Sequence, residues 1–125
     1  MNHKANSNLV FVCGGAADVG ELTDRAARQL SREGYAVMSC LASIAARDAD
    51  IMFNTDLAQR VLAIDGCPKA CASKAFALAG LKRPLHFDLS QIGLMKGSSP
   101  AAPERIQAVV DRAVELLNGK PSSVL

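Results

Sequence analysis

The stretch RVLAIDGCPKACASKAFALAG, residues 60–80, predicts a buried strand that turns directly into a helix. Val61–Ile64 are continuously apolar, which is typical of a strand covered on both faces. Pro68 follows at a first helical position, where a proline is favoured, and Gly80 supplies the stop. The stretch therefore predicts one strand–turn–helix unit of an α/β protein, with cysteines at the turn.

Apolar runs and helical stripes alternate along the rest of the chain in the same way. The stretch 41–56 has mixed polarity and is expected to be a loop with one or two helical turns, and 93–103 is expected to be a loop. The strands are expected at 9–13, 35–40, 60–67 and 83–89, and the helices from Asp18 to Gly34, from Pro68 to about Ala79 and from Pro103 to Gly119.

Strands that alternate with helices pair in parallel through right-handed crossovers. We therefore expect a small three-layer α/β/α sandwich of the Rossmann-like kind, with a four-stranded parallel sheet in the order 2-1-3-4. A single α/β metal-binding domain is expected over residues 9–119, between a flexible N-terminal segment, 1–8, and a flexible tail, 120–125. In such sheets ligands bind beyond the carboxyl ends of the strands, where the strand order reverses.

Composition narrows the classes of function. The chain has 125 residues, half of them hydrophobic, which is enough for one domain with an aliphatic core. A net charge of +2 without a Lys/Arg run argues against a nucleic-acid partner. The uncharged stretch 5–17 is short and broken by glycines, so neither a secretion signal nor a membrane partner is expected. The expected location is the cytoplasm, and no protein partner is indicated.

The four cysteines map to one edge of the expected sheet. Cys13 and Cys40 end the first and second strands, Cys67 follows the third, and Cys71 lies one helical turn further on. Neighbouring strands lie about 4.8 Å apart, so these thiols can converge. Structural disulfides are rare in a reducing cytosol. The pattern indicates shared metal or redox chemistry, set against the alternative that the cysteines are inert buried residues.

Four thiolates are the donor set of a tetrahedral zinc site, with Zn–S distances of about 2.3 Å. The N-terminus of the helix after the third strand adds partial positive charge and free N–H groups, which stabilise thiolates. However, the spacing C-x26-C-x26-C-x3-C is not a zinc-ribbon pattern. From the spacing alone, the metal and buried-residue interpretations stay about equally supported.

Three segments together resemble a known family. VCGGAADVGELTDRAARQL (12–30), VMSCLASIAARD (37–48) and IDGCPKACASKAF (64–76) are similar to the DGC family, named for its Asp-Gly-Cys motif. The resemblance covers about residues 9–97, which is most of the chain.

The resemblance implies a small bacterial or archaeal protein that binds a metal ion, zinc, and it implies no reaction or substrate. Asp65 and Gly66 match the motif as shaping residues. The metal ligands carried over from the family are Cys13, Cys40, Cys67 and Cys71.

Other functions stay open beside a structural, metal-handling or sensing zinc site. The same cysteines could serve as a thiol-redox pair or hold an iron–sulfur cluster, and a site with an open metal position would permit enzyme chemistry. The C-x3-C spacing of Cys67 and Cys71 is not that of thioredoxin-like enzymes. No catalytic residue is assigned.

The spacing of residues argues against two further classes of enzyme, those that bind a dinucleotide and the cysteine phosphatases. Gly14, Gly15 and Gly20 do not match a dinucleotide-binding fingerprint. Val19 and Ser73 stand where a cysteine phosphatase needs arginine.

Two polar residues near the cysteine edge have a structural and a functional interpretation. Asp65 is more readily a turn or cap residue than a base. His86 is more readily a core or rim histidine than a replacement ligand or a proton carrier.

Overall fold

The computed structural model describes residues 7–119. Strands alternate with helices along the chain, as the sequence pattern predicts everywhere except in the stretch 41–56. They are β1 (Leu9–Val12), α1 (Asp18–Arg32), β2 (Val37–Met38), α2 (Leu41–Ala45), α3 (Ala49–Leu57), β3 (Val61–Asp65), α4 (Cys71–Leu78), β4 (Leu85–Asp88), a short 3-10 helix (Leu89–Ile92) and α5 (Pro103–Leu117).

The sheet is parallel throughout, and its order is β2-β1-β3-β4. Val10 of β1 pairs with Met38 on one side and with Leu62 on the other. The predicted α/β class and the predicted order 2-1-3-4 are both confirmed. The order reverses between β1 and β3, and this is where a parallel sheet opens a crevice.

Alternate side chains of β1 point to opposite faces of the sheet. Val10 and Val12 pack in a core with α1 and α5. Leu9 and Phe11 point the other way, into a smaller core with α2 and α4. Phe11 meets Phe76 of α4 edge to face, with ring centroids 5.0 Å apart. Helices therefore cover both faces, and the predicted three-layer sandwich is confirmed.

The stretch 41–56 is more regular than expected. It forms α2 and α3 instead of a loop with one or two turns. The side chain of Asp48 caps α3 by accepting a hydrogen bond from the Ile51 N–H at 3.0 Å. Both helices are short, and much of their surface is exposed, which hides the helical period in the sequence.

The helix after β3 starts later than expected. It begins at Cys71 and not at Pro68, because Ala70 adopts a left-handed conformation, with φ +55°, immediately before it. Cys67 is therefore in a turn and does not stand at the helix cap.

The second strand is also shorter than the predicted 35–40, with two residues in the sheet. The predicted flexible segments, 1–8 and 120–125, lie outside the described residues except for residues 7 and 8. None of the helices in residues 7–119 has the length and apolar character needed to cross a membrane.

Candidate functional site

A cavity of about 300 Å³ lies at the carboxyl ends of β1 and β3, where the strand order reverses. We call it the cysteine cavity because Cys13, Cys67 and Cys71 line it. Small residues from the loop after β1, such as Gly15 and Ala16, form much of its remaining wall. Three of the four predicted ligands therefore open onto one space: Cys13 follows β1, Cys67 lies in the loop after β3, and Cys71 is the first residue of α4.

The sulfur of Cys13 connects the two loops that form the cavity. It accepts a hydrogen bond from the Gly66 N–H at 3.2 Å and lies 3.7 Å from Oγ1 of Thr23 in α1. The same Thr23 oxygen accepts a hydrogen bond from the Gly14 N–H at 3.4 Å. The position of Cys13 is therefore set by contacts with both the loop after β3 and the first turns of α1.

Two glycines allow these segments to approach one another. A Cβ on Gly20 would lie 2.4 Å from the carbonyl oxygen of Gly15, and a Cβ on Gly66 would lie 2.9 Å from Cγ2 of Val19. Real side chains do not tolerate such distances, so the close contact between α1 and both loops requires glycine at 20 and 66. The cavity owes its shape to these contacts.

Asp65 organises the start of α4 from the end of β3. Its side chain is buried and accepts hydrogen bonds from the N–H groups of Ala72, at 2.8 Å, and Ser73, at 3.3 Å. Nε2 of His86, on β4, lies 2.9 Å from the second carboxylate oxygen. Asp65 thus has a structural role as the acceptor for the first turn of α4, although the N-cap residue itself is Ala70. His86 is its partner at the rim of the sheet. This arrangement fixes the first helical residue, Cys71.

Two lysines bring positive charge to the cysteine cavity. Lys69 lies in the turn before α4, and Lys96 comes from the loop after the 3-10 helix. Asp18 holds the loop that carries Lys96 by accepting hydrogen bonds from the N–H groups of Gly97, at 3.0 Å, and Ser99, at 2.9 Å. The hydrogen bond from Gly97, followed by that from Ser99, lowers the pKa of Asp18 below its usual 3.8.

Cys40 stands apart from the other three cysteines. It is exposed, it precedes the first residue of α2, and it is not among the residues that line the cysteine cavity. The pKa of its thiol is lowered, chiefly by a hydrogen bond from the side chain of Ser43 and then by the Ser43 backbone N–H. Exposure and a lowered pKa together make Cys40 a candidate for a reactive thiol.

The described side chains are not arranged as a complete metal site. Between residues 7 and 119, no three His, Cys, Asp or Glu side chains are grouped closely enough to share an ion. The predicted ligand set of Cys13, Cys40, Cys67 and Cys71 therefore remains a prediction. Thr23 and Lys96 also belong to this edge, and neither could be predicted from the sequence because neither belongs to a cysteine motif.

The fold and the cavity define a class of protein: a small parallel α/β domain with a thiol-lined crevice at the point where the strand order reverses. A model of the DGC domain matches residues 9–113, and the chain belongs to the DGC family.

A curated relative agrees with the family assignment. The Anaerobic and virulence modulator AnvM of Pseudomonas aeruginosa is 33% identical over 88 residues, which are 70% of this chain and 67% of the relative. No solved structure gives a significant match.

Proposed function

We propose that the cysteine cavity binds a soft metal ion, zinc, through the thiolates of Cys13, Cys67 and Cys71, with Cys40 as the fourth ligand. One observation carries the proposal: three cysteines, from the loop after β1, the loop after β3 and the first residue of α4, line the same cavity. Thiolates are the ligands that zinc prefers in closed protein sites.

The chemistry of the cavity fits this donor set. Four thiolates around a divalent ion leave a net charge of about −2. Lys69 and Lys96 at the cavity, together with the Gly66 N–H that already reaches the sulfur of Cys13, offset part of that charge. The small residues of the wall leave room for the thiol side chains to turn toward one centre, and Cys40 would join them by a movement of the segment between β2 and α2.

The proposed ion would have a structural or a sensing role. When bound, it supplies a cross-link between the loops after β1 and β3. An ion that binds only the folded state stabilises it by about 2.7 kcal/mol at 100 times its Kd. The relative's name describes a modulator, which suits a metal-sensing role better than a purely structural one.

The test is the metal content of the full chain purified without added metal. We expect a colourless protein with one zinc per chain, and a marked loss of zinc in Cys67→Ser. His86→Ala is the comparison, because His86 is not a lining residue of the cysteine cavity and is linked to it only through Asp65, so this variant should lose much less zinc. Equal losses of zinc in the two variants would show that the ligand set is wrong.

A thiol-redox or iron–sulfur function is the second candidate. The exposure of Cys40 and its lowered pKa favour a reactive thiol at this position. Absorption near about 400 nm in the purified protein would indicate an iron–sulfur cluster. Metal-free protein whose Cys40 forms mixed disulfides would support redox chemistry, and an ion retained by only three of the cysteines would support an open, enzyme-like site.

A further inference from the structure

A second cavity, of about 310 Å³, lies at the opposite edge of the sheet, where β3 and β4 begin. We call it the amino-edge cavity. The end of α3 and the segment 81–85 between α4 and β4 form two of its sides. It shares no lining residue with the cysteine cavity. Its volume of about 310 Å³ is at the lower end of those of small-molecule sites.

One part of the amino-edge cavity is apolar. Phe76 of α4, which is buried, faces it together with Val61, Leu81 and Leu85. Phe76 is held by its edge-to-face contact with Phe11, so this wall is rigid. An apolar wall of fixed shape favours a ligand with a compact hydrocarbon or aromatic body.

The rim of the same cavity is positively charged. Among residues 7–119, Arg60, Lys82 and Arg83 line it, together with one carboxylate, that of Asp56. Within residues 7–119 none of these three cations forms an ion pair. By contrast, Arg25 pairs with a carboxylate on its own helix. Two guanidinium groups without an acidic partner can bind a carboxylate by paired, charge-assisted hydrogen bonds.

We propose that the amino-edge cavity binds a small organic carboxylate, with the hydrocarbon body of the ligand against Phe76 and Leu81 and its carboxylate at the cationic rim to which Arg60 and Arg83 belong. A strongly hydrated anion such as inorganic phosphate fits less well, because it would leave the apolar wall without a partner. The proposal is independent of metal binding at the cysteine cavity.

The experiment is an NMR titration of the full-length, isotope-labelled protein with hexanoate as the probe. We expect saturable amide shifts confined to residues 58–61 and 81–85. In the double variant Arg60→Gln/Arg83→Gln the affinity should fall by about tenfold or more. Arg25→Gln/Arg28→Gln is the matched control, since it removes the same charges from α1, and it should bind hexanoate as the original chain does.

Neutral and hydrophilic probes test the two halves of the proposal. Hexanol and inorganic phosphate should each bind much more weakly than hexanoate. Equal binding of hexanol would refute the role of the arginines, and equal binding of phosphate would refute the role of the apolar wall. The absence of saturation up to about 10 mM hexanoate, or unchanged affinity in Arg60→Gln/Arg83→Gln, would overturn the proposal. The single variant Arg83→Gln keeps the test decisive if the double variant does not fold.

Discussion

The carboxylate of Asp65 and the imidazole of His86 meet across two neighbouring strands, with Oδ2 and Nε2 2.9 Å apart. The other oxygen of the same carboxylate accepts the Ala72 N–H near the start of α4. One buried side chain thus joins β3, β4 and α4 at the edge that carries the cysteine cavity. The geometry of Cys71, the first residue of α4, depends on this connection.

Removing that carboxylate should destabilise the whole domain. Asp65→Ala leaves the N–H groups of Ala72 and Ser73 without their acceptor, so we expect the free energy of unfolding to fall by about 2–4 kcal/mol. Asp65→Asn keeps one acceptor oxygen and should cost less. Urea unfolding followed by circular dichroism measures both, with Asp111→Ala, an exposed helical acid, as the control. A loss no larger than that of the control would contradict the capping role.

Acid should release the loop that carries Lys96. Because the pKa of Asp18 is lower in the folded chain than its usual 3.8, its contribution to stability is present above that value and is lost as the pH falls through the folded-state pKa. We expect the free energy of unfolding to decrease in this acid range, and Asp18→Asn to make the decrease shallower. Asp50→Asn, at an acid of α3, is the control, and an equally shallow decrease in both variants would contradict the role of Asp18.

The reactivity of Cys40 should depend on Ser43. Because the Ser43 side chain is the main cause of the lowered pKa of the Cys40 thiol, Ser43→Ala should raise that pKa. The alkylation of Cys40 by iodoacetamide near neutral pH should become slower, since the thiolate is the reacting form. Mass spectrometry of the modified peptide across a pH series measures the pKa. Ser39→Ala, on the other side of Cys40, should have little effect, and an equal shift in both variants would disprove the Ser43 contact.

Much of the architecture follows from local sequence patterns. The apolar runs of β1 and β3, and the amphipathic stripes of α1 and α5, predict both the elements and their alternation. Parallel pairing then restricts the strand order to few choices, which is why 2-1-3-4 could be predicted. It also places Cys13 and Cys67 at one edge without any knowledge of side-chain contacts.

The differences arise where contacts distant in the chain decide the local structure. Pro68 is a favourable first helical residue, yet α4 starts three residues later, at Cys71. Asp65 holds the N–H groups of Ala72 and Ser73, so the chain between must turn before the helix can begin. The sequence could predict a capping role for Asp65. It could not predict the hydrogen bond between Asp65 and His86, because the two residues lie on different strands.

The two lysines of the cysteine cavity also differ in whether the sequence could predict their place at the site. Lys69 stands inside the cysteine motif and could be identified as a neighbour of the site. Lys96 reaches the cavity only because Asp18, near the start of α1, holds the loop that follows the 3-10 helix. From the sequence alone, Asp18 can be recognised only as an acidic residue at the N-terminus of a helix, where a negative charge is favourable. Such a contact between distant segments has no local signature.

The brevity of β2 has a consequence for how the molecules behave when they are crowded together. Val37 and Ser39 direct their N–H groups to β1, so the N–H of Met38 faces the open border of the sheet. Ser31 of α1 accepts that N–H with its hydroxyl at 3.3 Å. A border strand whose outward donor is already engaged is a poor template for a strand from another molecule. The domain thereby resists aggregation through this border, although β2 itself contains neither a charged residue nor a proline.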